Sequence, residues 1–237
     1  MAESIKQSTR IQTSILNGIE KKALVAMASR MPSWVTSDML TWLGLVGAVI
    51  AAFGYALSDH NLAWLWLTYA GIILNWFGDS LDGTLARVRQ TQRPVYGFYL
   101  DHNMDGITLT IVCIGIGLSG MLHFAIAMLV LVVYLLLSIY VYIVIDLKGE
   151  HKLTYGKMGP TEFRLIVIIL TMIYHFVPSV HNYAKVTTFL GQPVVIGMFD
   201  YFASGVFVIL AVIYITTLVK DGLAFAKQDP LPKRRSE

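Results

Sequence analysis

The sequence predicts an all-α fold, a polytopic membrane bundle of six transmembrane helices preceded by an N-terminal amphipathic interfacial helix. Composition is the first observation behind this prediction. Of 237 residues, 56% are hydrophobic and only 14% are charged, whereas about a quarter of an ordinary soluble domain is charged. The second observation is that the apolar residues form long runs separated by short polar segments. These properties indicate a membrane protein.

The first 38 residues carry several basic side chains and lack the apolar stretch of a cleavable signal peptide. Within them Ile11, Ile15, Ile19, Ala23 and Met27 recur every four residues, which is typical of one helix face. Because this segment leads directly into an apolar run, we expect a cytoplasmic helix on the membrane surface. A solvated, partly frayed leader is the alternative.

Six apolar runs follow, each long enough or nearly long enough to cross a bilayer at 1.5 Å per residue. They cover approximately residues 39–57, 62–80, 100–118, 121–146, 163–178 and 198–219, and the fifth is the shortest. No internal repeat or flexible linker indicates a second domain. The predicted segments are therefore an interfacial segment, one six-span domain and a basic cytoplasmic tail, at 1–38, 39–219 and 220–237.

The basic residues predict the orientation of these spans. Seventeen of the 18 Lys and Arg residues fall on one side of the predicted membrane, and Lys185 falls on the other. The positive-inside rule then places both termini in the cytoplasm, at the inner membrane if the source is bacterial. The net charge is only +3, so nucleic-acid binding is not expected. The single cysteine, Cys113, excludes an intramolecular disulfide and a cysteine-based metal site.

Two pairs of carboxylates lie where the second and third spans meet the cytoplasm. Asp79 and Asp82 are three residues apart, and Asp101 and Asp105 are four apart, so each pair shares a helix face. Four such charges at the edge of a bilayer would repel one another unless a cation joins them. Oxygen ligands suit Mg²⁺ or Mn²⁺, and four carboxylates indicate a two-metal site.

Other roles for these carboxylates are a proton or ion relay, or ion pairs with Arg87, Arg89 or Arg93. Pairing with arginine would not explain why each pair of carboxylates shares a face. Small residues beside the carboxylates, Gly83 and Gly97, would let a phosphate approach the backbone. Arg87 can pair with a phosphate oxygen or fasten the two helices. The pattern favours a site for a diphosphate and metal.

The complete pattern is Asp79-x-x-Asp82-Gly83-x-x-Ala86-Arg87, nine residues, and Gly97-x-x-x-Asp101-x-x-x-Asp105. It resembles the signature of the CDP-alcohol phosphotransferases, also called class I CDP-alcohol phosphatidyltransferases. Eight signature positions within 27 residues are all occupied. The resemblance implies that an alcohol hydroxyl attacks the β-phosphate of a CDP-linked donor and releases CMP, in phospholipid biosynthesis. It also implies that one substrate is a lipid and that the protein is a homodimer.

The resemblance further implies a role for each signature residue. Asp105 would be the catalytic base, with some metal contact. The metal ligands would be Asp79, Asp82, Asp101 and Asp105. The CDP moiety would be bound by Gly83, Ala86, Arg87, Gly97 and Thr41.

Thr41 belongs to a second pattern, Ser37-Asp38-x-x-Thr41-x-x-Gly44, which resembles the family's usual start of the first span except at its first two positions. We expect Asp38 to be a helix N-cap. Asn75, one turn before the first signature aspartate, either faces the same cavity or makes a packing hydrogen bond between helices.

The acceptor alcohol is less clearly indicated. Lys157 and Arg164 belong to a basic loop that could hold a phosphorylated acceptor, or that only satisfies the positive-inside rule. In contrast, the segment 159–162 (Gly-Pro-Thr-Glu) and the dipeptide Asp101-His102 resemble choline and ethanolamine phosphotransferases. We favour CDP-diacylglycerol as donor. The alternative is transfer from CDP-choline or CDP-ethanolamine to diacylglycerol, and a more distant one is a divalent-cation or proton transporter.

Overall fold

The computed structural model describes residues 17–148, 160–189 and 191–230. The described residues form helices α1 (Asn17–Arg30), α2 (Ser37–Ser58), α3 (Leu65–Val88), α4 (Pro94–Gly117), α5 (Phe124–Lys148), α6 (Pro160–Phe176), α7 (Pro178–His181) and α8 (Met198–Gln228), with strands β1 (Lys185–Phe189) and β2 (Gln192–Ile196). The predicted helical class is confirmed. The small antiparallel hairpin of β1 and β2 was not expected from the sequence.

The hairpin has a local physical cause. Val186 pairs with Val195, and Thr187 pairs with Val194, and β-branched residues such as these favour extended backbone. Gly191 in the connection has a φ of 80°, a conformation that glycine adopts without strain. The hairpin leads directly into α8.

Each of the six predicted apolar runs lies on a long helix. Within the described part of the chain, three helices are long and apolar enough to cross a membrane: Ser37–Ser58, Phe124–Leu147 and Met198–Gln228. The other long helices in this region, α3, α4 and α6, are the ones that carry the signature aspartates and Arg164. A six-span topology therefore stays a prediction.

Helices α2 and α3 pack at backbone contact through small residues. A Cβ added at Gly78 would lie 2.4 Å from the Gly44 nitrogen and 2.4 Å from the Leu40 oxygen. A Cβ added at Gly71 would lie 2.3 Å from the Ala51 nitrogen. Because no side chain fits at these positions, glycine permits the close approach. This contact sets the register between the first and second long helices.

The connection from α3 to α4 reverses the chain within five residues, 89–93. Thr91 donates its backbone N–H to the Ala86 carbonyl at 2.9 Å, and Gln90 donates to the Arg87 carbonyl at 3.2 Å. Together with a φ of 56° at Gln90, these bonds form a Schellman motif that ends α3. Pro94 then starts α4, which packs on α2 and α5 and makes only slight contact with α3. We refer to the space between the weakly packed α3 and α4 as the cleft.

The first helix packs on α3, and Met27 of the predicted apolar face lies against this contact. Leu24 and Ala28 are buried in a cluster with Leu81 and Leu85, whereas Ala23 is exposed. The predicted positions 11 and 15 lie outside the described residues. The position of α1 at a membrane interface stays a prediction.

Candidate metal and nucleotide site

Three of the four predicted carboxylates meet across the cleft. Asp79 on α3 and Asp101 and Asp105 on α4 each offer one oxygen, and these oxygens all lie within 4.8 Å of one another. Asp79 and Asp101 are partly buried and Asp105 is exposed. A donor set made only of carboxylate oxygens suits a hard divalent cation such as Mg²⁺ or Mn²⁺. The residues therefore fit the predicted metal.

Asp82 is not part of this three-carboxylate group. Its side chain faces α2, where it accepts a hydrogen bond from the Thr41 hydroxyl at 2.6 Å, and it also accepts from the Gly83 backbone N–H. Ser37 on α2 donates to the Asp82 carbonyl at 2.8 Å. Asp82 thus connects α3 to the start of α2, and its role as a metal ligand stays a prediction.

A cation on α6, Arg164, contacts one of these carboxylates. Arg164 donates from Nη2 to Asp79 Oδ2 at 2.6 Å and from Nε to Asn75 Oδ1 at 3.0 Å. Asn75 in turn donates to the Gly44 carbonyl at 2.9 Å, so the packing role weighed for this residue is observed. Among the described residues, Arg164 Nη1 is buried without a hydrogen-bond partner. The guanidinium therefore has a further donor to offer an anion.

Two of the three arginines considered as partners of the carboxylates, Arg89 and Arg93, have other partners in the structure. Arg93 pairs with Asp38 at 3.3 Å. Arg89 donates to three backbone carbonyls after α1, those of Val35, Met31 and Pro32, at 2.5, 3.0 and 2.7 Å. Arg89 thereby fastens the turn before α2 to the end of α3.

The predicted N-cap role of Asp38 is wrong. Thr36 caps α2, accepting a hydrogen bond from the Met39 backbone N–H at 3.2 Å. Asp38 is the second residue of the helix, and its carboxylate pairs with the Arg93 guanidinium. A threonine directly before the helix can accept a hydrogen bond from a first-turn N–H, the same role that was expected of the aspartate.

The glycines of the signature differ from the packing glycines. A Cβ added at Gly97 would meet no described atom within 4 Å, and at Gly83 the nearest atom would be Nη1 of Arg87 at 3.4 Å. Arg87 is exposed and donates to the Thr84 hydroxyl at 2.9 Å. The space beside these glycines suits a phosphate or a nucleotide. Binding of CDP by Gly83, Ala86, Arg87, Gly97 and Thr41 stays a prediction.

His102 also lies beside the acidic cluster. Its Nδ1 is 3.6 Å from Asp101 Oδ2, and its ring lies between those of Phe98 and Tyr142, at centroid distances of 4.0 and 4.9 Å. The other predicted acceptor residue, Lys157, lies outside the described residues.

The fold and the site together define a helical membrane protein with an acidic cluster between two adjacent helices. The family model for CDP-alcohol phosphatidyltransferases matches residues 34–217, and the chain belongs to this family. It is also similar to a phosphatidylinositol phosphate synthase from Cutibacterium acnes (strain DSM 16379 / KPA171202), with 38% identity over 71 residues. That match covers 30% of this chain and 32% of the relative, so the chain spans about a third of the relative it matches.

Proposed function

We propose that the protein transfers a phosphatidyl group from CDP-diacylglycerol to an alcohol hydroxyl and releases CMP, in phospholipid biosynthesis. The observation that carries the proposal is the group of three carboxylates with oxygens within 4.8 Å, flanked by the open signature glycines. The name of the similar relative, a phosphatidylinositol phosphate synthase, denotes a phosphatidyl product and supports this donor. The enzyme would be a homodimer with both termini in the cytoplasm, at the inner membrane if the source is bacterial.

In this reaction Asp105 takes the proton of the acceptor hydroxyl as its oxygen attacks the β-phosphorus. The new bond joins that oxygen to phosphorus, and the bond to the bridging oxygen breaks, so that CMP leaves with the electron pair. Asp79, Asp101 and Asp105 would hold the divalent metal, with Asp82 as the additional predicted ligand. When bound, the metal supplies positive charge that offsets the negative charge of the diphosphate. Arg87 would orient a phosphate, since a guanidinium matches phosphate oxygens.

The donor and acceptor can be tested directly by CMP release from purified protein in nanodiscs. CDP-diacylglycerol would be offered with a panel of alcohols, and CDP-choline or CDP-ethanolamine would be offered separately with diacylglycerol. We expect CMP only with CDP-diacylglycerol, only with Mg²⁺ or Mn²⁺ present, and none after chelation by EDTA. Release from CDP-choline or CDP-ethanolamine would establish the alternative donor, which rests on the sequence resemblance of the Asp101-His102 dipeptide. Metal or proton flux without CMP release would establish the transporter.

A phosphorylated acceptor is the second part of the proposal, because Arg164 presents a buried donor, Nη1, without a partner among the described residues. We expect Lys157→Ala to raise the acceptor KM about tenfold, the cost of one charge-assisted hydrogen bond, without changing kcat. Arg164→Ala should raise the acceptor KM and also lower kcat, since it leaves Asp79 without the cation that contacts it. Initial rates against acceptor concentration test both. An unchanged acceptor KM in both variants would exclude phosphate recognition by Lys157 and Arg164.

A further inference from the structure

Glu20 on α1 lies where three helices meet. Its Oε1 accepts a hydrogen bond from Trp76 Nε1 on α3 at 3.1 Å and another from Thr161 Oγ1 on α6 at 2.5 Å. Both donors therefore contact the same carboxylate oxygen. The predicted role of α1 at the membrane interface gives no reason for this contact.

The two donors, Thr161 and Trp76, are close in sequence to Arg164 and to its partner Asn75. Thr161 is three residues before Arg164, so the two side chains share a face of α6. Trp76 directly follows Asn75, which accepts a hydrogen bond from Arg164 Nε at 3.0 Å. Glu20 thus joins the first turn of α6 to the turn of α3 that receives the guanidinium.

Polar contacts along one face attach α6 to the rest of the bundle. Further along the helix, Thr171 hydrogen-bonds the buried Tyr55 at 2.6 Å, and His175 hydrogen-bonds Tyr69 at 3.2 Å. At 3.6 residues per turn, the residues at 161, 164, 171 and 175 fall within an arc of about 80°. In an apolar setting such directional pairs determine how a helix is rotated and how far it is displaced along its axis. The hydrogen bond from Thr161 to Glu20 sets the position of α6 at the end that carries Arg164.

We propose that Glu20 is a positioning residue for Arg164. By holding the start of α6 against α3, it places the guanidinium where it contacts Asp79 and presents Nη1 to the anionic group of the acceptor. The kinetic part of this inference rests on the proposed function. Helix α1 is then part of the acceptor site as well as a candidate membrane anchor.

Changes at Glu20 should act locally, because other contacts hold α1 in place. Leu24 and Ala28 remain buried against α3, and Arg89 still donates to the carbonyls of Met31 and Pro32. A general loss of stability is therefore not expected from a substitution at Glu20.

The test compares four variants in the CMP-release assay with a phosphorylated acceptor. Glu20→Ala should raise the acceptor KM about tenfold, the loss that one charge-assisted hydrogen bond accounts for, with donor KM and thermal midpoint unchanged. Glu20→Gln should stay within twofold of wild type, since one amide oxygen can accept from both donors. Thr161→Val should reproduce Glu20→Ala, and Trp76→Phe should not, because it leaves the contact with α6 intact. Lys22→Ala, on the exposed side of α1, is the matched control.

A double variant separates positioning from packing. If Glu20 acts through Arg164, adding Glu20→Ala to Arg164→Lys should raise KM no further than Arg164→Lys alone. Additive effects, or equal losses in Thr161→Val and Trp76→Phe, would overturn the proposal. Hydrogen exchange provides a readout that does not require turnover: amides of 161–168 should exchange faster in Glu20→Ala than in Glu20→Gln. Equal exchange would refute the positioning role, whereas an inactive wild type with this exchange difference would refute only the proposed function.

Discussion

Replacing Asp105 with asparagine is expected to lower kcat for CMP release by about 10²- to 10⁴-fold, the usual contribution of a general base. The amide keeps the size of the side chain but cannot take the proton of the acceptor hydroxyl. Asp105 is the exposed member of the three-carboxylate group, so it is accessible to a substrate entering the cleft between α3 and α4. Asp79 and Asp101 are less exposed and are better placed to hold the metal.

The measurement is the initial rate at saturating substrates over a range of Mg²⁺ concentrations. If Asp105 is the base, excess Mg²⁺ will not restore the rate of Asp105→Asn. Restoration by excess metal would instead limit Asp105 to metal binding. Asp146→Asn removes an exposed carboxylate near the end of α5 and should leave the rate unchanged. Wild-type activity in Asp105→Asn would exclude it as the base and make His102 the next candidate.

Replacing Gly78 with alanine is expected to cause a large loss of stability from a single added methyl group. The added Cβ would lie 2.4 Å from backbone atoms of Gly44 and Leu40, so α2 and α3 would have to separate. Forcing an extra carbon into a closely packed contact costs about 1–3 kcal/mol. The separation would also disturb the hydrogen bond from Thr41 to Asp82, so activity should fall together with stability.

Gly205→Ala provides the matched control, because a Cβ there meets no described atom within 4 Å. In the middle of a helix alanine is favoured over glycine by about 1 kcal/mol, so the thermal midpoint of this variant should equal or exceed that of wild type. Both midpoints can be measured in the same detergent by loss of the monodisperse peak after heating. Equal midpoints for Gly78→Ala and Gly205→Ala would show that close contact of α2 with α3 does not limit stability.

Local spacing explains what could be predicted for the site. Asp101 and Asp105 are one helical turn apart, and they share a face in any α-helix, so their convergence needed no knowledge of the tertiary structure. By the same spacing, Asp82 was expected to act together with Asp79. In the structure the Asp79 side chain meets the aspartates of α4, whereas the Asp82 side chain hydrogen-bonds Thr41 on α2. Spacing gives the relative direction of two side chains, and the neighbouring helices decide what each one contacts.

Long-range partners could not be predicted in this way. Arg164 and Asp79 are 85 residues apart in sequence, and Thr161 and Glu20 are 141 apart. From the sequence, Arg87, Arg89 and Arg93 were equal alternatives as partners of the carboxylates, and Arg93 instead pairs with Asp38. The choice depends on which helices pack side by side, and no local pattern encodes that.

The sequence by itself determined the helical membrane class, the family signature and the location of the acidic cluster, because each follows from hydrophobic runs or from spacing within one helix. Only the tertiary structure decided that α6 supplies the cation for Asp79, that α2 supplies the partner of Asp82, and that α1 contacts α6. Backbone contact at Gly44 and Gly78 brings α2 and α3 together. The polar face of α6 then makes its hydrogen bonds to the neighbouring helices. The physical reason is that a side chain's partner is set by the helix packed beside it, which depends on the whole arrangement of the bundle.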